Sequence, residues 1–397
     1  MNPILNPYSP GAGTPPPELA GRAELREKVR VAIGRIQIGN SAKSVLMVGL
    51  RGVGKTVLLD RMRQDAQASG IYALKIEAPE DRSLPALLVP QLRLILLKLS
   101  AIESAKEFAI RGLRALAGFA KALKVKYKDI EVSLDFEPEP GLADNGDLEG
   151  DLAVLLEQVG LAAQSAQTAV AMFIDELQYV KQAELAALIT ALHRCAQAKL
   201  PVTLIGAGLP QLLARAADAK SYSERLFDFP MIGPLSLADA SLAIARPAEE
   251  LQVVFLPEAI EEIYQDTEGY PYFLQMWSKY TWDVATASPI SREDVKRARF
   301  LTEADLDESF FKTRFERCTP SERRYLRAMA SLGAGPHRSG DIAAVLGRTV
   351  NVLGMLRSSL MNKGMVWSPS HGDTAFTVPL FDQFMLRVMP GDDWQEV

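Results

Sequence analysis

The sequence has few of the features that mark secreted, membrane-spanning or strongly basic proteins. Only two cysteines, Cys195 and Cys318, occur in 397 residues, and their separation gives no metal-ligand spacing, so we expect two reduced thiols in a cytoplasmic protein. No apolar run is long enough to span a membrane, and the first residues have neither the basic start nor the apolar core of a signal peptide. The net charge of −5 excludes a whole-chain basic excess, so any contact with nucleic acid must be local.

What is present is the composition of an ordinary globular protein. Hydrophobic residues make up 48% of the chain and charged residues 23%, which is typical of a folded soluble protein. The length leaves room for two or three domains with a full hydrophobic core.

A glycine-rich turn follows a short apolar run in "SVLMVGLRGVGKTVLLDRM". Val45 to Val48 predict a buried strand, and Thr56 to Met62 predict the start of a helix. Between them the pattern G-x-x-x-x-G-K-[ST] predicts a phosphate loop, in which backbone N–H groups and the helix N-terminus attract phosphate. The alternative is a glycine-rich turn with a solvated lysine. The residues expected to bind the nucleotide are Gly49, Leu50, Arg51, Gly52, Val53, Gly54, Lys55, Thr56 and Val57.

Two adjacent carboxylates end the apolar run "TAVAMFIDE", about 120 residues after Lys55. Charge at the end of a buried strand is costly unless something compensates it. Asp175 is therefore expected to hold Mg²⁺ together with Thr56, while Lys55 meets the β- and γ-phosphates of ATP. Glu176 is expected to deprotonate the attacking water, which favours hydrolysis over binding alone. The alternative is that both acids cap the following helix.

The order of these motifs from about residue 15 to residue 228 resembles the ATPase core of AAA+ and STAND-type P-loop proteins, especially bacterial and archaeal ATPases similar to origin-recognition initiators. The resemblance implies a three-layer α/β ATPase core with a helical lid. "LAGRAEL" looks like the family's turn near the adenine, and "LPVTLIGAGLPQL" resembles its sensor 1 strand. That strand ends in Gly206-Ala207-Gly208 instead of a polar residue, with Thr203 a poor substitute.

Two further motifs are carried over from the resemblance. Arg225 matches the arginine finger that serves a neighbouring subunit's γ-phosphate, which implies a homo-oligomer formed on ATP binding; the alternative is a surface salt bridge. Gly269, Tyr270 and Pro271 fit the Gly-x-Pro turn of STAND proteins, in which the proline lies near the adenine.

The chain divides by pattern into four parts. Residues 1–17 form a Pro/Gly-rich arm that is extended or disordered, residues 18–232 the ATPase core, residues 233–317 the helical lid and residues 318–397 a winged helix. The core carries a charged insertion at about 102–151. In it a basic helix, Lys106 to Lys128, precedes an acidic stretch, and alternation at Val125–Phe136 predicts a strand or hairpin. The basic helix could touch nucleic acid, a membrane surface or a partner, but neighbouring opposite charges more often neutralise each other.

The C-terminal region predicts three short helices and a hairpin, a winged-helix plan that resembles the C-terminal module of the same ATPases. The first helix spans Ser321 to Ser331, the second is capped by Ser339, the third ends at Gly364, and the hairpin turns at His371-Gly372-Asp373. In a DNA-binding version the third helix enters the major groove. The exposed candidates for DNA contact are Asn351, Arg357, Ser358 and Lys363, with Arg348 and His371 beside them.

These observations together predict a cytoplasmic, Mg²⁺-dependent ATPase that acts as a molecular switch, on duplex DNA or in a mobile-element or defence system. The alternative is a slow-turnover signalling module whose winged helix docks a protein partner. Glu176 and Arg225 favour the first function, whereas the glycine-ended sensor strand and the Gly-x-Pro turn favour the second.

Overall fold

The computed structural model describes residues 1–11, 13–78, 83–123, 136–391 and 394. These residues form two compact units. One unit contains residues Arg22–Val48 and Lys55–Met231, and the other contains Met1–Gly21, Gly49–Gly54 and Ile232–Val397.

The first unit is built on a parallel β-sheet. Its strands are β1 (Ser44–Val48), β2 (Tyr72–Glu77), β3 (Val170–Asp175), β4 (Val202–Gly208) and β5 (Phe227–Asp228). Their order across the sheet is β2-β3-β4-β1-β5, so the carboxyl ends of β1 and β3 lie on either side of β4. Every residue of β1, β3 and β4 is buried, which explains their unbroken apolar sequences.

Helices cover both faces of this sheet and complete the predicted three-layer P-loop fold. In chain order they are α1 (Ala23–Gln37), α2 (Lys55–Ala68), α3 (Leu84–Ser100), α4 (Lys106–Ala122), α5 (Leu148–Ser165), α6 (Gln182–Gln197), α7 (Leu212–Ala219) and α8 (Ser223–Leu226). The predicted helix after the phosphate loop is α2, which begins at Lys55, one residue earlier than expected.

The basic helix predicted in the insertion is α4, which buries its small and apolar residues and exposes its cations. Arg111 on its outer face pairs with Glu139 at 3.3 Å, so one pair of the opposite charges in this insertion does neutralise itself. The strand or hairpin predicted at Val125–Phe136 lies outside the described residues, apart from Phe136.

In the second unit, a set of helices follows the last strand of the sheet along the chain. They are α9 (Leu237–Glu249), α10 (Pro257–Thr267), α11 (Pro271–Val284), α12 (Arg292–Asp305) and α13 (Lys312–Glu316), with one π-helical segment, Leu306–Phe311, before α13. The N-terminal arm lies on these helices. Tyr8 is buried against Phe255 and Trp282, and its hydroxyl donates to the carbonyl of Ile244. The arm includes one 3-10 turn, Pro3–Leu5, and burial of its tyrosine fixes it against these helices.

The remaining elements of this unit form the C-terminal module. They are α14 (Pro320–Ser331), β6 (His337–Arg338), α15 (Ser339–Val345), α16 (Val350–Asn362), β7 (Val366–Trp367), β8 (Asp373–Phe376) and α17 (Phe381–Val388). The short strands pair in the order β6-β8-β7. Three details differ from the sequence prediction. Strand β6 and helix α17 were not predicted, and Ser339 does not cap α15, because its hydroxyl donates to the Gly372 carbonyl instead.

Within the described residues, no helix is both long enough and apolar enough to cross a membrane.

Candidate active site

The acids at the end of β3 lie beside the first turn of α2. Asp175 is only 2% exposed, and its carboxylate accepts a hydrogen bond of 2.6 Å from the Thr56 hydroxyl and one of 2.8 Å from the Glu176 backbone amide. Burial raises the pKa of Asp175; the Thr56 hydrogen bond opposes this rise, and the charge of Glu176 adds to it. Lys55 is also buried, at 8% exposure, and its charge lowers the pKa of Asp175. The structure therefore brings together the three side chains predicted to bind phosphate and metal.

Glu176 has an unusual backbone conformation. Its φ of 54° and ψ of 35° place it in the left-handed region, which a residue with a side chain enters only at a cost. A single 3-10 turn, Leu177–Tyr179, follows, and α6 begins only at Gln182 with Lys181 as its N-cap. Neither acid caps α6, so the helix-capping alternative is wrong.

The phosphate loop itself, Gly49–Gly54, lies in the second unit. A Cβ atom at residue 49 would collide with the carbonyl oxygen of Ile232, and Gly52 and Gly54 have φ values of +79° and +87°. Glycine is needed at these positions because other residues do not fit the space or the conformation. Among the other loop residues, Val53 is buried, and Leu50 and Arg51 are half-buried.

Two segments of the second unit contact the loop backbone. The Arg51 amide donates to the Thr377 carbonyl at 3.0 Å, and the Tyr272 amide donates to the Gly52 carbonyl at 3.1 Å. Pro271 is the first residue of α11, where its fixed φ suits a helix start. The Gly269-Tyr270-Pro271 turn thus lies next to the loop.

The donor set fits a magnesium nucleotide. Mg²⁺ prefers oxygen ligands, and in phosphoryl-transfer sites it uses few protein groups together with substrate phosphates. Thr56 and Asp175 offer a hydroxyl and a carboxylate 2.6 Å apart. Within the described part of the chain, no three His, Cys, Asp or Glu side chains converge as a complete metal site.

The end of β4, expected to carry a sensor residue, has no polar side chain. A Cβ atom at Gly208 would lie 2.8 Å from both the Gln178 Oε1 atom and the Leu212 Cδ2 atom. Thr203 is near the other end of β4, where its hydroxyl lies 3.1 Å from the Ser44 hydroxyl. Sequence reasoning missed Gln178, which follows Glu176 by two residues and contacts its carboxylate.

Arg225 is exposed in α8, directly before β5. Because β5 runs parallel to β1 with Phe227 opposite Ser44, Arg225 lies toward the amino ends of the strands. Asp175 lies at the carboxyl ends of the strands, which are on the opposite side of the sheet from their amino ends. The structure therefore does not bring Arg225 to the acids of its own chain.

Comparisons with known proteins agree with this geometry. Residues 18–205 match a family model described as an AAA ATPase domain, and residues 308–385 match a domain of unknown function, DUF8462. The search of curated proteins finds no match.

Several solved structures resemble this chain to different degrees. The Walker-type ATPase of Pyrococcus abyssi has 17% identity and a TM-score of 0.57, with 94% of this chain and 98% of that chain covered. The Orc1 protein of Aeropyrum pernix in complex with DNA has 16% identity and a TM-score of 0.45, covering 94% of each chain. The RuvB Holliday junction branch migration motor of Thermotoga maritima has 17% identity and a TM-score of 0.43, covering 94% of this chain and 95% of that chain.

Proposed function

We propose that the chain, whose residues 18–205 match an AAA ATPase domain model on a P-loop fold, binds and hydrolyses ATP as a Mg²⁺-dependent molecular switch. The observation that carries this proposal is the cluster of Thr56, Asp175 and Glu176 at the carboxyl end of β3. An arrangement that only bound nucleotide would not need a second carboxylate held there in a costly backbone conformation.

Each residue has a separate role in the reaction. The Lys55 ammonium group binds the β- and γ-phosphate oxygens, and the oxygens of Thr56 and Asp175 hold Mg²⁺. Mg²⁺ supplies positive charge where negative charge grows on the phosphate oxygens. Glu176 accepts a proton from the water whose oxygen bonds to the γ-phosphorus, while the bond from that phosphorus to the ADP oxygen breaks.

The replacement Glu176→Gln tests this function. Loss of a general base lowers turnover by on the order of a hundredfold or more, while ATP affinity should stay unchanged because Lys55, Thr56 and Asp175 are intact. The matched control is Glu107→Gln, the same change at an exposed position on α4, which should turn over ATP like the parent. A fully active Glu176→Gln variant would reject the role of Glu176 as base.

We further propose that Arg225 acts on the site of a neighbouring subunit in an oligomer formed on ATP binding. Its exposure and its position toward the amino ends of the strands support action outside its own chain. An arginine finger contributes roughly a thousandfold or more to turnover. Arg225→Ala should therefore bind ATP but be nearly inactive, whereas Arg30→Ala, another exposed arginine, should be active.

Mixing Arg225→Ala with Glu176→Gln should restore some turnover, because a mixed interface can pair one intact arginine with one intact base. If mixed assemblies are demonstrated and no turnover returns, Arg225 does not act on a neighbour.

For the C-terminal module, which we interpret as a winged helix, protein docking is better supported than DNA reading. Two of the cations expected to contact DNA are used inside the module. Arg357 donates to the Thr374 and Ser368 hydroxyls and to the Asp373 carbonyl, each at 2.8 Å. Lys363 donates to Glu322 at 2.7 Å. Both are half-buried, so the expectation that they are exposed is wrong.

The outer face of α16 carries exposed apolar side chains as well as the other candidates for DNA contact. Those candidates, exposed as expected, are Asn351 and Ser358 on the helix and Arg348 and His371 beside it. Met355 is 84% exposed and Val352 is 59% exposed, whereas a helix that binds DNA phosphates would expose cations. A salt titration of duplex DNA binding separates the two candidates, since phosphate contacts give a steep dependence on salt. Absence of salt-sensitive binding is the expected result. A steep slope would restore the DNA-acting switch.

A further inference from the structure

Gln178 joins the proposed base to the neighbouring strand. It is 4% exposed and lies in the 3-10 turn after β3. Its Oε1 atom accepts a hydrogen bond of 2.9 Å from the backbone amide of Leu209, the residue directly after β4. Its Nε2 atom donates to the carboxylate of Glu176.

The chemistry of these partners fixes the orientation of the amide group. A backbone N–H can only donate, so the oxygen of Gln178 must face Leu209. An ionised carboxylate can only accept, so the nitrogen must face Glu176. Reversing the amide would break both hydrogen bonds at once, and two unsatisfied buried groups are costly. The Gln178 side chain is therefore held between two fixed partners.

The glycines of β4 make room for this connection. A Cβ atom at Gly208 would lie 2.8 Å from the Gln178 Oε1 atom. One at Gly206 would collide with Leu177 and lie 2.6 Å from the Cδ2 atom of Leu46. A side chain at residue 208 would displace the end of the Gln178 side chain and that of Leu212. The amide of Gln178 thus lies against the space that a side chain at residue 208 would need.

We propose that Gln178 is a positioning residue for Glu176, which fixes its carboxylate relative to the carboxyl end of β4. The proposal rests on the proposed function, in which Glu176 is the base. The left-handed backbone of Glu176 determines the direction in which its side chain leaves the backbone. The hydrogen bond from the Gln178 amide determines the position of the carboxylate. A base that is displaced by about 1 Å can lose on the order of a hundredfold in rate.

Two replacements separate this role from simple packing. Gln178→Glu keeps an acceptor for Leu209 but puts a second negative charge against Glu176. Gln178→Met keeps the length of the side chain but removes both hydrogen bonds. The matched control is Gln182→Glu, the same change four residues later on an exposed side chain.

The kinetic expectation is a fall in kcat of on the order of tenfold to a hundredfold in both Gln178 variants, with KM and ATP affinity within about twofold of the parent, because the phosphate-binding side chains are unchanged. Gln182→Glu should behave as the parent. An unchanged or raised kcat in both Gln178 variants would overturn the proposal.

Amide hydrogen exchange at Leu209 provides a measurement without ATP. Protection of this amide should be lost in Gln178→Met and kept in Gln178→Glu, since only the second variant offers an acceptor. A slow Gln178→Glu variant whose Leu209 amide is still protected from exchange would show that the rate depends on the contact of residue 178 with Glu176 and not on its hydrogen bond to Leu209 after β4. If Gln178→Glu turns over ATP like the parent while its Leu209 amide stays protected, the contact with Glu176 does not limit the rate, and Gln178 is not a positioning residue for Glu176.

The double variant Glu176→Gln, Gln178→Met identifies which assumption fails. If Gln178 acts through Glu176, the double variant should be no slower than Glu176→Gln alone; an equal further loss would mean that the two residues act independently and would overturn the proposal. A fully active Glu176→Gln variant would instead reject the proposed function itself. A slow Glu176→Gln variant with a normal Gln178→Met variant would reject only the role of Gln178.

Discussion

Asp175 and Glu322 are both 2% exposed, yet their surroundings shift the two carboxyl groups in opposite directions. Burial is the largest cause of the raised pKa of Asp175; hydrogen bonds from two neutral donors, the Thr56 hydroxyl and a backbone amide, and the charge of Lys55 oppose the rise without reversing it. Burial would also raise the pKa of Glu322, but hydrogen bonds from Lys363, Ser359 and the Thr319 amide lower it to about 2. Glu322 accepts a hydrogen bond directly from the Lys363 ammonium group, whereas the Thr56 hydroxyl and the Glu176 amide, which donate to Asp175, are neutral.

This difference distinguishes two kinds of charged side chain. A site charge binds a ligand, and a fold charge pairs with another residue of the folded protein. Replacing a site charge should remove function and leave stability nearly unchanged. Replacing a fold charge should lower stability and leave nucleotide affinity, per folded molecule, unchanged. The three predictions below test this separation.

The largest effect is expected for Lys55→Ala. Without the ammonium group that binds the β- and γ-phosphates, ATP binding should fall below detection in calorimetric titration, while the unfolding temperature without nucleotide stays close to that of the parent. The control is Lys98→Ala, an exposed lysine on α3, which should bind ATP normally. Parental ATP affinity in Lys55→Ala would reject the phosphate-loop assignment.

The next effect concerns Lys363→Met. Lys363 is half-buried but Glu322 is buried. Removing the lysine therefore leaves a buried charge uncompensated, which costs about 3–5 kcal/mol, and the free energy of unfolding in urea should fall by this order. The matched control is Lys312→Met, which breaks the exposed Lys312–Glu308 pair of 2.6 Å. Exposed pairs contribute little to stability. Equal losses in the two variants would mean that the burial of Glu322 has no energetic importance.

The smallest effect is the acid sensitivity that comes from Glu322. Its pKa is about 2 in the folded protein against an ordinary value of 4.5. A lowered folded-state pKa stabilises the protein above the unfolded pKa, and this contribution is lost as the pH falls from about 4.5 toward 2. The loss amounts to about 3 kcal/mol. Unfolding curves of the parent and of Glu322→Gln should therefore converge as the pH falls through this range; a constant difference would contradict the lowered pKa.

The sequence predicted the parts of this protein that depend on neighbouring residues. The phosphate loop could be predicted because its glycines, lysine and threonine occur within eight residues. The strand before it and the helix after it could also be predicted from short stretches of sequence. The two acids Asp175 and Glu176 could be predicted as site residues because charge at the end of an apolar strand needs a compensating partner. Both signals are contained in single short segments.

What the sequence did not predict depends on contacts between distant segments. The partner of Gln178 is Leu209, 31 residues away, and the partner of Lys363 is Glu322, 41 residues away. A lysine or arginine on a predicted recognition helix has the same sequence pattern whether it faces DNA or bonds inside its own module. The exposure of Arg357 and Lys363 was mispredicted for this reason.

The backbone of Glu176 has a consequence for directed evolution of this protein. A residue other than glycine in the left-handed region costs on the order of 1 kcal/mol or more, and glycine would relieve that cost. Glu176→Gly therefore removes one cost but also removes the acceptor of the buried Gln178 amide, which is a cost of similar size. Selection for thermal tolerance alone would thus do little to keep glutamate at this position, and a selection that also demands turnover would keep it.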